Sequence, residues 1–149
     1  MTKLLNHQFF FRPPLLLLGL LLFLTAQSPK RMSLEQILRE SRWKYRVLLI
    51  AAPTAEHPDF KTQKALLAAK KTDLAERDFV VVEALYDQLS ATDKAFLKSK
   101  TGVQPPQFAA VLIGKDGGVK ERSRRPIPPA DLFGTVDKMP MRQQEMRRK

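Results

Sequence analysis

The sequence predicts an α/β domain, and three observations carry that prediction. Three apolar runs, Val47–Ala52, Phe79–Ala84 and Phe108–Ile113, have the length and composition of strands in a covered sheet. Segments with helical spacing of their apolar residues lie between the first and second runs and between the second and third. A glycine-rich turn, Gly114–Gly118, then returns the third run into a short polar strand before a last helix.

Each element has a local cause. Ser33-Leu34-Glu35-Gln36 is a capping box that starts a short helix, with Ser33 accepting from a helix amide and Gln36 reaching back. Leu34, Ile37 and Leu38 supply its apolar stripe. Val47-Leu48-Leu49-Ile50-Ala51 is continuously apolar rather than alternating, which predicts a strand covered on both faces. Pro58 suits a first helical position, and Phe60, Leu67 and Leu74 recur every seven residues, so one helix is expected from about Asp59 to Ala75. Phe79-Val80-Val81-Val82 is rich in β-branched residues and gives the second strand. Ser90 or Thr92 can cap a third helix that runs to about Lys100, with Gly102 just past its end. Val119–Arg122 reads as a polar edge strand. Pro128-Pro129 opens the last main helix, with Leu132, Phe133, Val136 and Met139 on one face, and Pro140 interrupts it. The expected domain is 27–140, followed by a basic tail at 141–149.

This order is helix, β, α, β, α, β-hairpin, α. It is the thioredoxin-like order, with a short extra helix at the N-terminal side. Folds of that type keep reactive thiols at the turn after the first strand, here Pro53-Thr54-Ala55-Glu56-His57-Pro58-Asp59. The chain has no cysteine there or anywhere in its 149 residues. A structural disulfide, a CxxC redox pair, a thiolate metal site, a cysteine nucleophile and a lipoprotein cysteine are all excluded.

Residues 1–26 are expected to lie outside the fold as a secretory signal. Lys3, His7 and Arg12 precede the apolar run Leu15–Ala26, which is shorter than the ~20 residues a membrane-spanning helix needs. Export to the periplasm or medium is therefore expected, with an uncleaved N-terminal anchor as the alternative. The chain carries 26 Lys+Arg and 15 Asp+Glu, and beyond Ala26 the balance is still +9, because only Lys3 and Arg12 precede that point. Such a charge favours anionic partners or simply a well-solvated surface.

Three stretches, Arg42–Ile50 (RWKYRVLLI), Phe108–Lys120 (FAAVLIGKDGGVK) and Met139–Met146 (MPMRQQEM), together resemble an uncharacterised bacterial family of short exported proteins built on one domain of unknown function. A similar domain occurs in extracellular-matrix proteins with sushi repeats and in a related matrix protein with several copies. The resemblance spans about Leu34–Lys149. It implies a thioredoxin-like fold distantly similar to peroxiredoxins, and it brings no activity, cofactor or catalytic residue. Thioredoxin-like proteins keep a cis-proline ahead of the third strand, near where Pro105-Pro106 stands here.

Several residues are candidates for function. Thr54, His57, Pro105 and Pro106 are expected to line a groove at one end of the sheet, where thioredoxin-like proteins hold extended peptides. His57 with Glu56 or Asp59 offers the alternative of a non-thiol enzyme, although helix-start chemistry is the simpler account of the acids. No catalytic residue, metal site or cofactor is assigned. Trp43, Lys44 and Arg46 offer a stacking and phosphate-binding edge, with Trp43 expected to pack at the start of the strand. Arg122–Arg125, and Arg142, Arg147, Arg148 and Lys149 of the tail, are the candidate contacts with an anionic envelope component. Nucleic acid is not expected as a partner, since no nucleic-acid motif is present. The expectation is an exported, thioredoxin-like binding or structural module without thiol redox activity.

Overall fold

The computed structural model describes residues 31–148. The expected signal at 1–26 and Lys149 of the expected tail lie outside the described residues. The elements are α1 (Leu34–Ser41), β1 (Arg46–Ala52), α2 (Pro58–Ala68), α3 (Lys71–Glu76), β2 (Phe79–Leu85), α4 (Ala91–Thr101), β3 (Ala109–Ile113), β4 (Val119–Ser123), α5 (Pro129–Asp137) and α6 (Pro140–Arg147).

The four strands form one sheet in the order β2-β1-β3-β4. β1 pairs with β2 in parallel, from Arg46 opposite Phe79 to Ala52 opposite Leu85, and with β3 antiparallel. The hairpin partner β4 is an edge strand, as its polar sequence requires. Every residue of β1 is buried because cores lie on both faces. Val47, Leu49 and Ala51 join a core with Leu34 and Leu38 of α1 and Leu97 of α4. Leu48, Ile50 and Ala52 join the other, with Phe60, Leu67, Leu74, Leu132 and Val136 from α2, α3 and α5. A parallel β1–β2 crossover, an antiparallel hairpin beside it and helices on both faces constitute the thioredoxin-like arrangement.

Most local signals act as the sequence implies. Ser33 accepts from the Gln36 amide at 3.2 Å, and Ser90 caps α4 by accepting from the Asp93 amide at 3.0 Å. Gly102, at φ 72°, ends α4 in the left-handed conformation, donating to the Lys98 carbonyl. The Gln36 side chain differs from expectation: it bonds Glu40 rather than reaching back. The start of α1 is instead fastened by Asp93, which accepts from the Leu34 amide at 2.8 Å.

Two larger differences concern helices. The expected continuous helix from Asp59 to Ala75 is broken at Ala69–Lys70, where Lys70 leaves helical geometry at φ −127°. Phe60, Leu67 and Leu74 all still reach one core, so their shared spacing survives the break. The expected tail beyond Pro140 is a helix: Pro140 occupies a first-turn position of α6 instead of ending structure. Side-chain ion pairs hold α6 against the rest of the domain, as described below.

Candidate functional site

The expected groove is built by three segments at the end of the sheet where β1 stops. After Ala52 the chain turns through Pro53–Glu56. The Thr54 hydroxyl accepts from the Glu56 amide at 3.3 Å, and the His57 amide donates to the Thr54 carbonyl at 3.2 Å. His57 then precedes α2 as its N-cap residue without making a side-chain cap bond, and Pro58 fixes the first turn. From the other side, the Pro105-Pro106 bond is cis. Pro106 is the third residue of a turn closed by the Gln107 amide on the Gln104 carbonyl, the geometry of a type VI turn. The cis bond, which the sequence alone does not decide, therefore stands ahead of β3.

The two segments meet through aromatic rings. His57 stacks on Phe108 with ring centroids 5.9 Å apart and planes 8° apart. Tyr86, just after β2, joins the groove together: its amide donates to the Ala52 carbonyl and its hydroxyl donates to the Gln107 carbonyl at 2.7 Å. Burial pushes the Tyr86 hydroxyl up to about 12, so it stays a protonated donor at any physiological pH. Thr54, Pro105 and Pro106 are exposed around this centre and His57 is half-buried. The structure thus brings His57 to the proline turn. Of the residues that bind the two sides, the sequence marks Phe108 only as the start of a strand and does not single out Tyr86.

The arrangement seats a half-buried imidazole on a buried ring beside exposed proline faces, with one buried nitrogen. His57 Nδ1 is buried and has no hydrogen-bond partner among the described residues. Glu56 pairs with Lys61 instead of the imidazole. Asp59 makes no hydrogen bond to the imidazole among the described residues. No group of three His, Asp or Glu able to hold a metal occurs among the described residues, and none of their helices is long and apolar enough to cross a membrane.

The opposite end of the sheet differs more from expectation. Arg46 is only 1% exposed and makes an end-on bidentate pair with Glu145 of α6, at 3.1 and 3.2 Å, while Nη1 also donates to the Arg77 carbonyl. Lys115 bridges Glu145 at 2.7 Å and Asp78 at 2.8 Å. Arg77 pairs with Asp137 through two hydrogen bonds and lies over Phe133 at 4.5 Å. Burial pushes the Glu145 carboxyl up, but the bonds from Arg46 and Lys115 outweigh it and hold it below its ordinary value. The Arg77 hydrogen bonds likewise hold Asp137 low.

Three expectations are corrected at this end of the sheet. Arg142, expected on an anion-contacting surface, is 6% exposed and donates to the Glu76 carbonyl at 2.8 Å and to Asp137 at 3.3 Å. Helical periodicity turns it inward with Glu145, three residues on. Arg147 and Arg148 are exposed, as are Arg122, Arg124 and Arg125. The edge expected from Trp43, Lys44 and Arg46 is not formed, because Arg46 is buried and pairs with Glu145. Trp43 does not pack at the start of the strand either. It is 63% exposed at φ 66°, in a tight turn whose amide donates to the Lys115 carbonyl, with Arg42 5.6 Å from its ring.

Comparison with known proteins gives three findings. The family described as a domain of unknown function, DUF4174, matches residues 37–145. Coiled-coil domain-containing protein 80 of Danio rerio is 28% identical over 144 residues, a match covering 80% of this chain and 17% of that protein. The chain therefore spans a small fraction of that relative's length. A crystal structure of Trgpx in apo form superposes with a TM-score of 0.46 and 16% identity, covering 66% of this chain and 81% of the other.

Proposed function

The chain belongs to the DUF4174 family, and from that premise we propose that it is an exported thioredoxin-like module that binds an extended peptide segment without thiol redox chemistry. The observation that carries this reading is the stacked His57–Phe108 pair, which closes a cysteine-free turn onto the exposed proline turn. A peptide laid there would meet the imidazole and proline faces, with Thr54 at the edge. Thiol chemistry has no nucleophile in this chain. The charged, then apolar, N-terminal stretch supports export to the periplasm or medium. The module reading also suits a domain whose Danio rerio relative is several times longer. A role in the cell envelope, kinship with bacterial exported proteins and likeness to sushi-repeat matrix domains belong to this proposal.

Selection from a displayed library of unstructured peptides against the full chain tests the binding reading. Enriched peptides should lose about tenfold in affinity, about 1.4 kcal/mol, with His57→Ala, and a comparable amount with Thr54→Arg. Absence of enrichment over an unrelated control domain would overturn it, and so would affinities indifferent to both substitutions. Export has its own measurement. A phosphatase reporter lacking its own leader should become active outside the cytoplasm when fused after residue 30, and should stay inactive when 15–26 are deleted.

A further inference from the structure

We propose that the cleft between the β3–β4 turn and the α5–α6 junction is a binding site for a small carboxylate with an apolar body. The cleft has a volume of about 490 Å³, within the range of small-molecule sites, and lies at the opposite end of the sheet from the peptide groove. Met139, Pro140 and Met141 give it an apolar wall, and Arg46, Lys115, Lys120 and Lys138 give it cations.

Arg46 is the reason the site takes an oxyanion. Its guanidinium is almost wholly buried, Nη1 is engaged twice and Nη2 once, and Nε has no partner among the described residues. Nε and the outer N–H of Nη2 lie on one edge of the planar group. That edge is the bidentate fork that matches a carboxylate. A charged donor buried without an acceptor is costly, and such groups point to a bound ion or water.

One cation on the cleft wall also lacks a counter-ion among the described residues. Arg46, Lys115, Arg77, Arg142, Lys120 and Lys138 stand around the cleft and its supporting network. The carboxylates that face them are Glu145, Asp78, Asp137 and Asp116, with Asp73 and Glu76 beside Arg77, and Glu121, which accepts from Thr135 on the cleft wall. Lys138 makes no ion pair among the described residues. A monoanion in the cleft would pair with Lys138, and the methionines beside it favour one that carries hydrocarbon.

Side-chain NMR on the full chain tests this with octanoate, acetate and inorganic phosphate as probes. Octanoate should shift the Arg46 Nε–Hε resonance saturably and bind more tightly than acetate or phosphate. Lys138→Gln should weaken it roughly threefold to fivefold at low salt. Met141→Ser, at an exposed position, should erase the advantage of octanoate over acetate and leave acetate unchanged. A water at Nε only, seen as no saturable shift with any probe, would overturn the proposal. Phosphate binding as tightly as octanoate, or octanoate shifts that bypass Arg46, would also overturn it.

Discussion

Replacing Glu145 by alanine is expected to destabilise the domain by about 3–5 kcal/mol, because it strands a buried cation. Arg46 is 1% exposed, and Glu145 is the only carboxylate that pairs with it among the described residues. The loss also frees Lys115 from one of its two carboxylates and releases α6 from β1. Urea unfolding of the full chain at neutral pH measures it, and a loss below about 1 kcal/mol would show that the pair behaves as a surface ion pair. Replacing Arg46 and Glu145 together by methionine should cost less than either single removal, since no charge is then left unpaired. The pH dependence has a definite sign. The folded Glu145 carboxyl lies below its ordinary 4.5, so the unfolded chain takes up its proton first as pH falls. Its contribution is complete above about 4.5 and is lost between that value and the lower folded one. The gap between wild type and Glu145→Ala should therefore be constant near neutrality and narrow in acid.

The second large effect is expected from Gln63→Leu, on the order of 3 kcal/mol. Gln63 is wholly buried on α2. Its side-chain amide donates to the Ile127 carbonyl at 3.1 Å and accepts from the Ile127 amide at 2.7 Å. The loop between β4 and α5 thus finds its backbone partners in one side chain. Leucine keeps the volume and removes both bonds, leaving a buried N–H and C=O that each cost about 1–3 kcal/mol. The neighbouring exposed Thr62→Ala serves as the comparison and should change stability by less than about 0.5 kcal/mol. If the two variants unfold at the same denaturant concentration, the clasp contributes nothing.

Both residues show where sequence reasoning stops. Gln63 falls between Phe60 and Leu67 on the apolar side of α2, yet nothing near it announces that its partner is Ile127, 64 positions away. Arg46 sits among exposed Lys44 and Tyr45 and reads as surface charge, until Glu145 arrives from 99 residues on. The helix break at Lys70 involves neither glycine nor proline, so no local signal marks it. The candidate groove was legible in part. His57 and the prolines stand out by chemistry, but Phe108 reads as the start of a strand and only the fold stacks it on the imidazole.

The chain's own sequence determined the α/β class and the strand order's raw material. Continuous apolar runs can be stable only between two covering layers, and Ser33, Ser90 and Gly102 mark helix ends through bonds made within a few residues. It also determined that no thiol stands at the turn after Val47–Ala52. Tertiary structure alone decided which charges face water and which face each other. Arg142 and Arg46 became interior groups and 140–147 became a docked helix. The physical reason is that an ion's environment depends on partners distant in the chain, whereas periodicity and capping depend only on neighbours.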